Sequence, residues 1–397
     1  MTTTSDVNLP STEYIDSNAK LQSTFDRLSQ ETVIGFDSEF VRVSTFYPKP
    51  GLYQLSASYG VFLIDPLSIT DWTPMITLFK NPDITIVMHS CGEDLALLQH
   101  CLQVKPARLF DTQLAAAYCG HGYSISYQGL VQSTLNIALG KGETRSDWIH
   151  RPLTDAQLHY AAQDVNFLIP LFGQLTDKLN ELGRRQWLLE DCEQLLESAA
   201  ADGAELQWQQ AYQLIKGAWR LPDYALANLQ KLCYWREKTA REKDLPKNWV
   251  VKDQDLLELV TKLAYQDQYE LDDIVGLDVL NPKSLNRVGR PLISCLNSQF
   301  NFELKAESSE LDKPLDSINR NKIKKLQNLT KNIAEKMDLP PELLARKRQW
   351  VKFISSNQND NRSQKNSWIW PTGFTSWRQA ALVDAVASVM DAAPGKS

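Results

Sequence analysis

Long apolar runs are missing from this sequence. A membrane-spanning helix needs about 18–20 such residues in a row, and charged or polar residues interrupt every run well before that. Cysteine is scarce: six in 397 residues, set singly at positions 91, 101, 119, 192, 233 and 295, with no CxxC. That argues against a disulfide-built scaffold or a thiolate zinc site and points to buried packing cysteines in a reducing cytoplasm. The amino end, MTTTSDVNLPSTEY, has neither a basic cluster nor an apolar core, so no secretory leader is expected. What remains is ordinary: 43% hydrophobic and 23% charged residues, a globular composition that excludes fibrous and disordered classes. The length suits two to four domains.

The charge is unevenly placed. The net of −6 divides into −10 over residues 1–200 and +4 over residues 201–397. The stretch from Leu315 to Lys352 holds 10 basic and 4 acidic residues. Two solvated surfaces would account for this. So would a cation-binding site in front and a polyanion grip behind.

The front part reads as α/β. Thr32–Phe40, Gly51–Ser58 and Val61–Asp65 form three strand candidates, the last two parted by a Tyr59-Gly60 turn, which suggests an antiparallel meander. Asp83–His89 is a fourth strand, and helical patterns follow at Glu93–His100, at Asp111–Tyr118 and beyond Pro152. The expected fold is a mixed sheet flanked by helices. From about Trp187 the strand signal ends. Helices are expected over Asp223–Glu242, Asp253–Ala264 and Glu270–Gly276, then Ile318–Asp338, Leu343–Ile354 and Thr375–Met390, with a polar linker at Lys305–Pro314. Each half runs from a long helix into a Leu-Pro turn and a shorter helix, the pattern of two small all-α bundles. The expected division is residues 12–180, a helical connector 181–218, and bundles at 219–298 and 299–390.

Four carboxylates and a tyrosine stand out. Asp37 and Glu39 are two apart in a strand, so they share one face of the sheet. Two acids on one buried face repel, and a divalent cation answers both. Asp94 opens a helix after the strand ending at His89; acids there are commonly dipole partners, and Glu93 competes for any further role. Thr154-Asp-Ala-Gln157 has the form of a capping box, so a helix starts there and places Tyr160 and Asp164 on one face at i and i+4. His159, five before Asp164, lies about 140° around the helix, against about 40° for Tyr160.

Together these elements resemble the DEDD family of 3′–5′ exonucleases, in its tyrosine branch, and within it the resemblance to the bacterial ribonuclease D group is close. It covers nearly the whole chain. It includes Thr45-Phe-Tyr-Pro48 leading to Gly51-Leu-Tyr-Gln54, His89-Ser-Cys-Gly-Glu-Asp94, Lys141, and Ser146-Asp-Trp148 through Arg151-Pro-Leu153. The helices after residue 218 look like an HRDC domain, a small nucleic-acid-binding module, and the last bundle like a weaker repeat of it. The resemblance implies a ribonuclease H-like exonuclease domain holding two divalent cations, Mg²⁺ or Mn²⁺, on Asp37, Glu39, Asp94 and Asp164. It selects Asp94 over Glu93 and gives Tyr160 the attacking water. It implies hydrolysis of RNA from its 3′ end to nucleoside 5′-monophosphates, with tRNA precursors and other structured RNAs as partners, no membrane, and a monomeric chain.

Candidate RNA contacts are Phe40, Tyr47, Gln54, His89, Arg145, Trp148 and Arg151. Phe46 and Tyr53 are further candidates for stacking on bases, with core packing as the alternative. Arg320–Lys325 and Arg346–Arg348 are candidate grips or solvated helix faces. Two other functions compete: a DNA exonuclease, and a binding protein with a degenerate nuclease fold. The complete set of four acids and Tyr160 counts against the second.

Overall fold

The computed structural model describes residues 11–140, 146–201, 205–300, 311, 315–357 and 368–391. Contacts divide the chain into two compact units. The first comprises Met1–Val41, Lys49–Ala200 and Leu315–Ser397; the second comprises Arg42–Pro48 and Ala201–Pro314.

The first unit is built on a six-stranded sheet. In chain order it carries β1 (Thr12–Ile15), α1 (Asn18–Leu28), β2 (Val33–Val41), β3 (Lys49–Ala57), β4 (Gly60–Ile64), α2 (Thr73–Phe79) and β5 (Thr85–Met88). Then come α3 (Gly92–Leu102), β6 (Leu109–Asp111), α4 (Thr112–Tyr118), α5 (Tyr127–Leu135), α6 (Asp155–Asn166), α7 (Leu168–Glu181) and α8 (Arg185–Ala201). The strand order is β1-β4-β3-β2-β5-β6. The three middle strands β2, β3 and β4 form the expected antiparallel meander, while β1, β5 and β6 add in parallel. The mixed sheet flanked by helices is therefore present. β1 and β6 were not foreseen, because three or four residues are too short to show a period.

β2 lies between β3 and β5, so its apolar residues Ile34 and Phe36 are wholly buried. Gly35 permits a close approach: a Cβ there would fall 2.2 Å from Ser56 Oγ and 3.0 Å from Leu168 Cβ. Ser56 in turn donates to the Val165 carbonyl at 2.7 Å. The end of α6 and the start of α7 are thereby seated on the face of β2 and β3 that carries residues 35, 37, 54 and 56.

The carboxy-terminal helices α15 (Ser317–Met337), α16 (Pro341–Leu344), α17 (Lys347–Ser356) and α18 (Ser376–Met390) belong to this same unit. They have a core of their own around Leu326, Trp350, Phe353 and Val386. Ala334, Leu339, Leu343, Leu344 and Trp377 instead join the core of the six-stranded sheet. Trp377 stacks on Trp187 with centroids 4.7 Å apart. Beside that stack, buried Arg378 makes a two-point ion pair with buried Asp191, which also accepts from the Tyr118 hydroxyl at 2.6 Å. Arg184 donates to the carbonyls of Tyr118 and Met337. This bundle is a buttress of the sheet domain, which the sequence reading of two similar bundles did not foresee.

The second unit holds α9 (Glu205–Gln209), α10 (Asp223–Glu242), α11 (Lys247–Val250), α12 (Asp253–Lys262), α13 (Leu271–Val275) and α14 (Pro282–Leu296). α10, α12 and α13 fall where the sequence places helices; α14, with Pro291 inside it, does not show in the sequence reading. Arg42–Pro48, the connection between β2 and β3, packs within this unit. Arg241 lies between the rings of Phe46 and Trp208, 4.4 Å from each, and Asp244 accepts the Tyr47 backbone N–H at 3.0 Å. All six cysteines are free and four are buried. The expected linker Lys305–Pro314 lies, apart from Leu311, outside the described residues.

Candidate active site

Asp37 and Glu39 leave β2 on the same side, as period two requires, beside the strand's only register shift, at Glu39/Phe40. Asp94 sits in the first turn of α3, buried, while Glu93 is exposed. The turn before it is held by Asp111, which accepts the Cys91 N–H at 2.9 Å and caps α4 through the N–H groups of Gln113 and Leu114. One carboxylate thus fixes two strand-to-helix turns. Ser38, between the two acids of β2, donates to the Asp94 carboxylate. Neither Ser38 nor Asp111 shows in the sequence reading; the middle residue of Asp-Ser-Glu was the available signal for the first.

The helix α6 begins with the expected capping box, Thr154 and Gln157 reciprocating. It sets Tyr160 beside Asp164 on one face, close enough for each to shift the other's proton affinity, and leaves His159 exposed. Tyr127, the first residue of α5, is half-buried: its hydroxyl donates to the Gln163 carbonyl at 3.1 Å and accepts the Phe167 N–H at 3.1 Å. Tyr160→Phe is expected to slow turnover ~10²-fold, the low end for assisted proton transfer, and His159→Ala to change it less than twofold. Initial rates on one RNA substrate decide; an inactive histidine variant would reverse the assignment.

The four carboxyls feel one another. Burial holds the Asp37 carboxyl well above its ordinary range, and Asp94, Asp164 and Glu39 push it further. Burial, with Asp164 and Asp94 nearby, raises Glu39 to about 8. Burial raises Asp94 to about 7 against the hydrogen bond from Ser38, and Asp164 to about 6 against the lowering influence of Tyr160. Among the described residues no lysine or arginine is among the influences on any of them.

A divalent cation fits the chemistry of this donor set: all oxygen, Asp94 buried and the rest half-buried, and without a basic partner among the described residues. Among the described residues, no three His, Cys, Asp or Glu groups hold a metal cage as they stand.

The raised values carry a stability consequence. A carboxyl whose folded pKa exceeds its unfolded value of about 4 binds a proton on folding. Its contribution is complete below about pH 4 and is lost as pH rises through the folded value. With values near 6, 7 and 8, chelator-treated protein should melt at progressively lower temperature from pH 5.5 to 8.5, and saturating Mn²⁺ should flatten the trend. Scanning calorimetry checks it; a chelated protein that gains stability over that range would refute the coupling.

The expected RNA contacts fare differently, and several are corrected. Arg151 has all five N–H donors engaged in the fold: two to Asp65 at 2.6 and 2.8 Å, and the others to the carbonyls of Gly51, Trp148 and His150. It is a clamp with no donor left for phosphate. Trp148 is buried against Gly51, where a Cβ would fall 2.5 Å from Trp148 Cβ. His89 has one ring nitrogen on Thr112 Oγ1 at 2.9 Å and the other on the Ile125 carbonyl at 3.1 Å. Gln54 is fully buried directly across the ladder from Asp37, and among the described residues neither polar side-chain atom has a partner. Tyr53 is core. Tyr47 and Phe46 lie in the second unit. Phe40, half-buried beside the site, keeps an exposed part. Arg145 and Lys141 lie outside the described residues.

A carboxylate cluster on β2 and the first turn of α3 of a mixed-sheet domain, completed by a tyrosine–aspartate pair on a capped helix, defines a nuclease-type domain. The 3′-5′ exonuclease family matches residues 12–180 and the HRDC domain family residues 225–296. The chain is 32% identical over 387 residues to ribonuclease D of Pseudomonas paraeruginosa (strain DSM 24068 / PA7), covering 98% of this chain and 100% of the relative. Against ribonuclease D of Escherichia coli K12 it is 30% identical over 383 residues, covering 96% and 99%. The crystal structure of E. coli RNase D, described as an exoribonuclease involved in structured RNA processing, matches with a TM-score of 0.82 at 29% identity, over 98% of this chain and 100% of that one. The chain belongs to the ribonuclease D family of exoribonucleases.

Proposed function

We propose that this exoribonuclease matures the 3′ ends of tRNA precursors and other structured RNAs in the cytoplasm, acting as a monomer on two divalent cations. The observation that carries the reading is the cluster Asp37, Glu39, Asp94 and Asp164, with Asp94 buried and the other three half-buried, and with no lysine or arginine of the described residues among the influences on them. Asp37 would hold both ions, Glu39 and Asp164 the first, and Asp94 the second. The ions, Mg²⁺ or Mn²⁺, supply a lowered water pKa and offset charge on the phosphoryl oxygens.

The residues themselves do the positioning. Burial, with Asp164 alongside, raises the Tyr160 phenol pKa and keeps that hydroxyl protonated, so it would be available as donor or acceptor toward the attacking water. Ser38 holds Asp94 in one rotamer, and Asp111 holds the turn that carries it. Tyr127 ties the start of α5 to the end of α6. No helix among the described residues is long and apolar enough to cross a membrane.

The test is purified protein with Mg²⁺ or Mn²⁺ on labelled tRNA carrying a 3′ extension, beside a matched DNA strand. Stepwise shortening of the RNA to the mature end, with the DNA untouched, is the expected result. Equal or faster loss of the DNA would favour the DNA exonuclease reading instead.

A further inference from the structure

The first unit contains a second feature suited to RNA, away from the carboxylates. A cleft of about 480 Å³ runs between the sheet domain and the carboxy-terminal bundle. One wall is Leu114, Tyr123, Gln194, Leu195 and Ser198; the other is the start of α17, with Arg346, Arg348, Gln349 and Lys352. Arg348 and Lys352 are four apart on α17 and share a face. All three cations are exposed, and among the described residues none has an acidic partner in ion-pair range. Asp191 also lines the cleft but is already taken by Arg378 and Tyr118, which leaves Glu342 as the one exposed acid on its walls. The Arg346 guanidinium lies over the Tyr123 ring, 5.5 Å from its centroid.

The cleft is fixed, since the Arg378–Asp191 pair and the Trp377–Trp187 stack hold its two walls together. It is also near the site of cleavage. Tyr123 precedes Tyr127 by four residues, at most about 14 Å of extended chain, and Tyr127 is bonded to Gln163, next to Asp164. Cations along a groove with an aromatic face among them are what a nucleic-acid strand requires, the cations for phosphates and the ring for a base.

We infer that this cleft is a second RNA-binding site, which takes the phosphodiester backbone of the substrate upstream of its 3′ end through Arg346, Arg348 and Lys352, with Tyr123 as a stacking surface. The inference rests on the exoribonuclease activity described above and adds the place where longer substrates are held. It also explains why the last bundle is docked on the sheet domain.

The experiment uses the full chain carrying Arg346→Gln, Arg348→Gln and Lys352→Gln together, and measures binding of 3′-extended tRNA in chelator from 50 to 300 mM KCl. The slope of log affinity against log salt should fall by about 2–3, one contact being worth about 0.7–0.9. Affinity near physiological salt should fall roughly 10- to 100-fold. Hydrolysis of a tetraribonucleotide in Mn²⁺ should stay within twofold of wild type. Tyr123→Ala should weaken tRNA binding with the slope unchanged. Unaltered tRNA affinity and slope, with tetranucleotide cleavage intact, would overturn the cleft alone. An equal loss on the tetranucleotide would overturn it too, by showing an effect at the reacting centre. Failure of the wild-type protein to cleave either RNA would instead overturn the activity on which the inference rests.

Discussion

Asp37→Asn and Asp164→Asn should each remove hydrolysis, by about three orders of magnitude or more, and leave the fold standing. Each swap keeps the volume and deletes a negative oxygen donor. Loss of several kcal/mol of charge stabilisation at the reacting phosphate corresponds to such a factor at about 1.36 kcal/mol per decade. The fold should survive because burial and three neighbouring acids work against the charged form of Asp37. An uncharged amide at that position relieves the repulsion, so chelator-treated Asp37→Asn should melt at or above the wild-type temperature, while Mn²⁺ should raise its melting point less. A variant that is inactive and strongly destabilised would mean the carboxylates hold the fold rather than a cation. Full activity would remove them from the chemistry.

Arg378→Met should lower the melting temperature of the first unit by on the order of 10 °C. Arg378 is buried, and its guanidinium serves Asp191, the Leu343 carbonyl and Thr375 at once. Removing one partner of a buried pair typically costs about 3–5 kcal/mol, because the other charge is left without an answer. For a unit of this size each kcal/mol shifts melting by about 2–4 °C. The loss should appear in the catalytic unit, since Asp191 belongs to α8 and its partner Tyr118 to α4. For the same reason a fragment ending near residue 215 should be less stable than one that keeps residues 315–391 by any means. Calorimetry of Arg378→Met decides; a shift under about 2 °C would show that the bundle rests on the sheet domain without supporting it.

The carboxylate geometry was open to sequence reasoning because it depends on short-range periodicity. Asp37 and Glu39 share a face by the two-residue period, and α6 announces itself through Thr154 and Gln157. Once α6 is placed, the separation of Tyr160 from His159 follows from helical phase, and the structure leaves His159 exposed. What sequence could not carry were contacts between distant residues. Arg151 looks like a free cation until Asp65, 86 positions away, is seen to hold it. Phe46 and Tyr47 look like site aromatics until Arg241 and Asp244 draw them into the helical unit. The two bundles share a helix–Leu-Pro–helix pattern, yet only the last contributes Trp377 and Leu343 to the core of the sheet domain. Gln54 is the residual oddity. Its buried amide beside Asp37, without a partner among the described residues, has no account in the packing.

The most direct measurement follows the product. An RNA labelled at its last internucleotide phosphate, incubated with the wild-type chain and Mn²⁺, should release its label as a nucleoside 5′-monophosphate. The same mixture should release none with a chelator or with Asp164→Asn. Label appearing on a nucleoside 3′-phosphate or in internal fragments, or cleavage that persists in the chelator, would contradict a cation-loaded 3′–5′ exonuclease centre at Asp37, Glu39, Asp94 and Asp164.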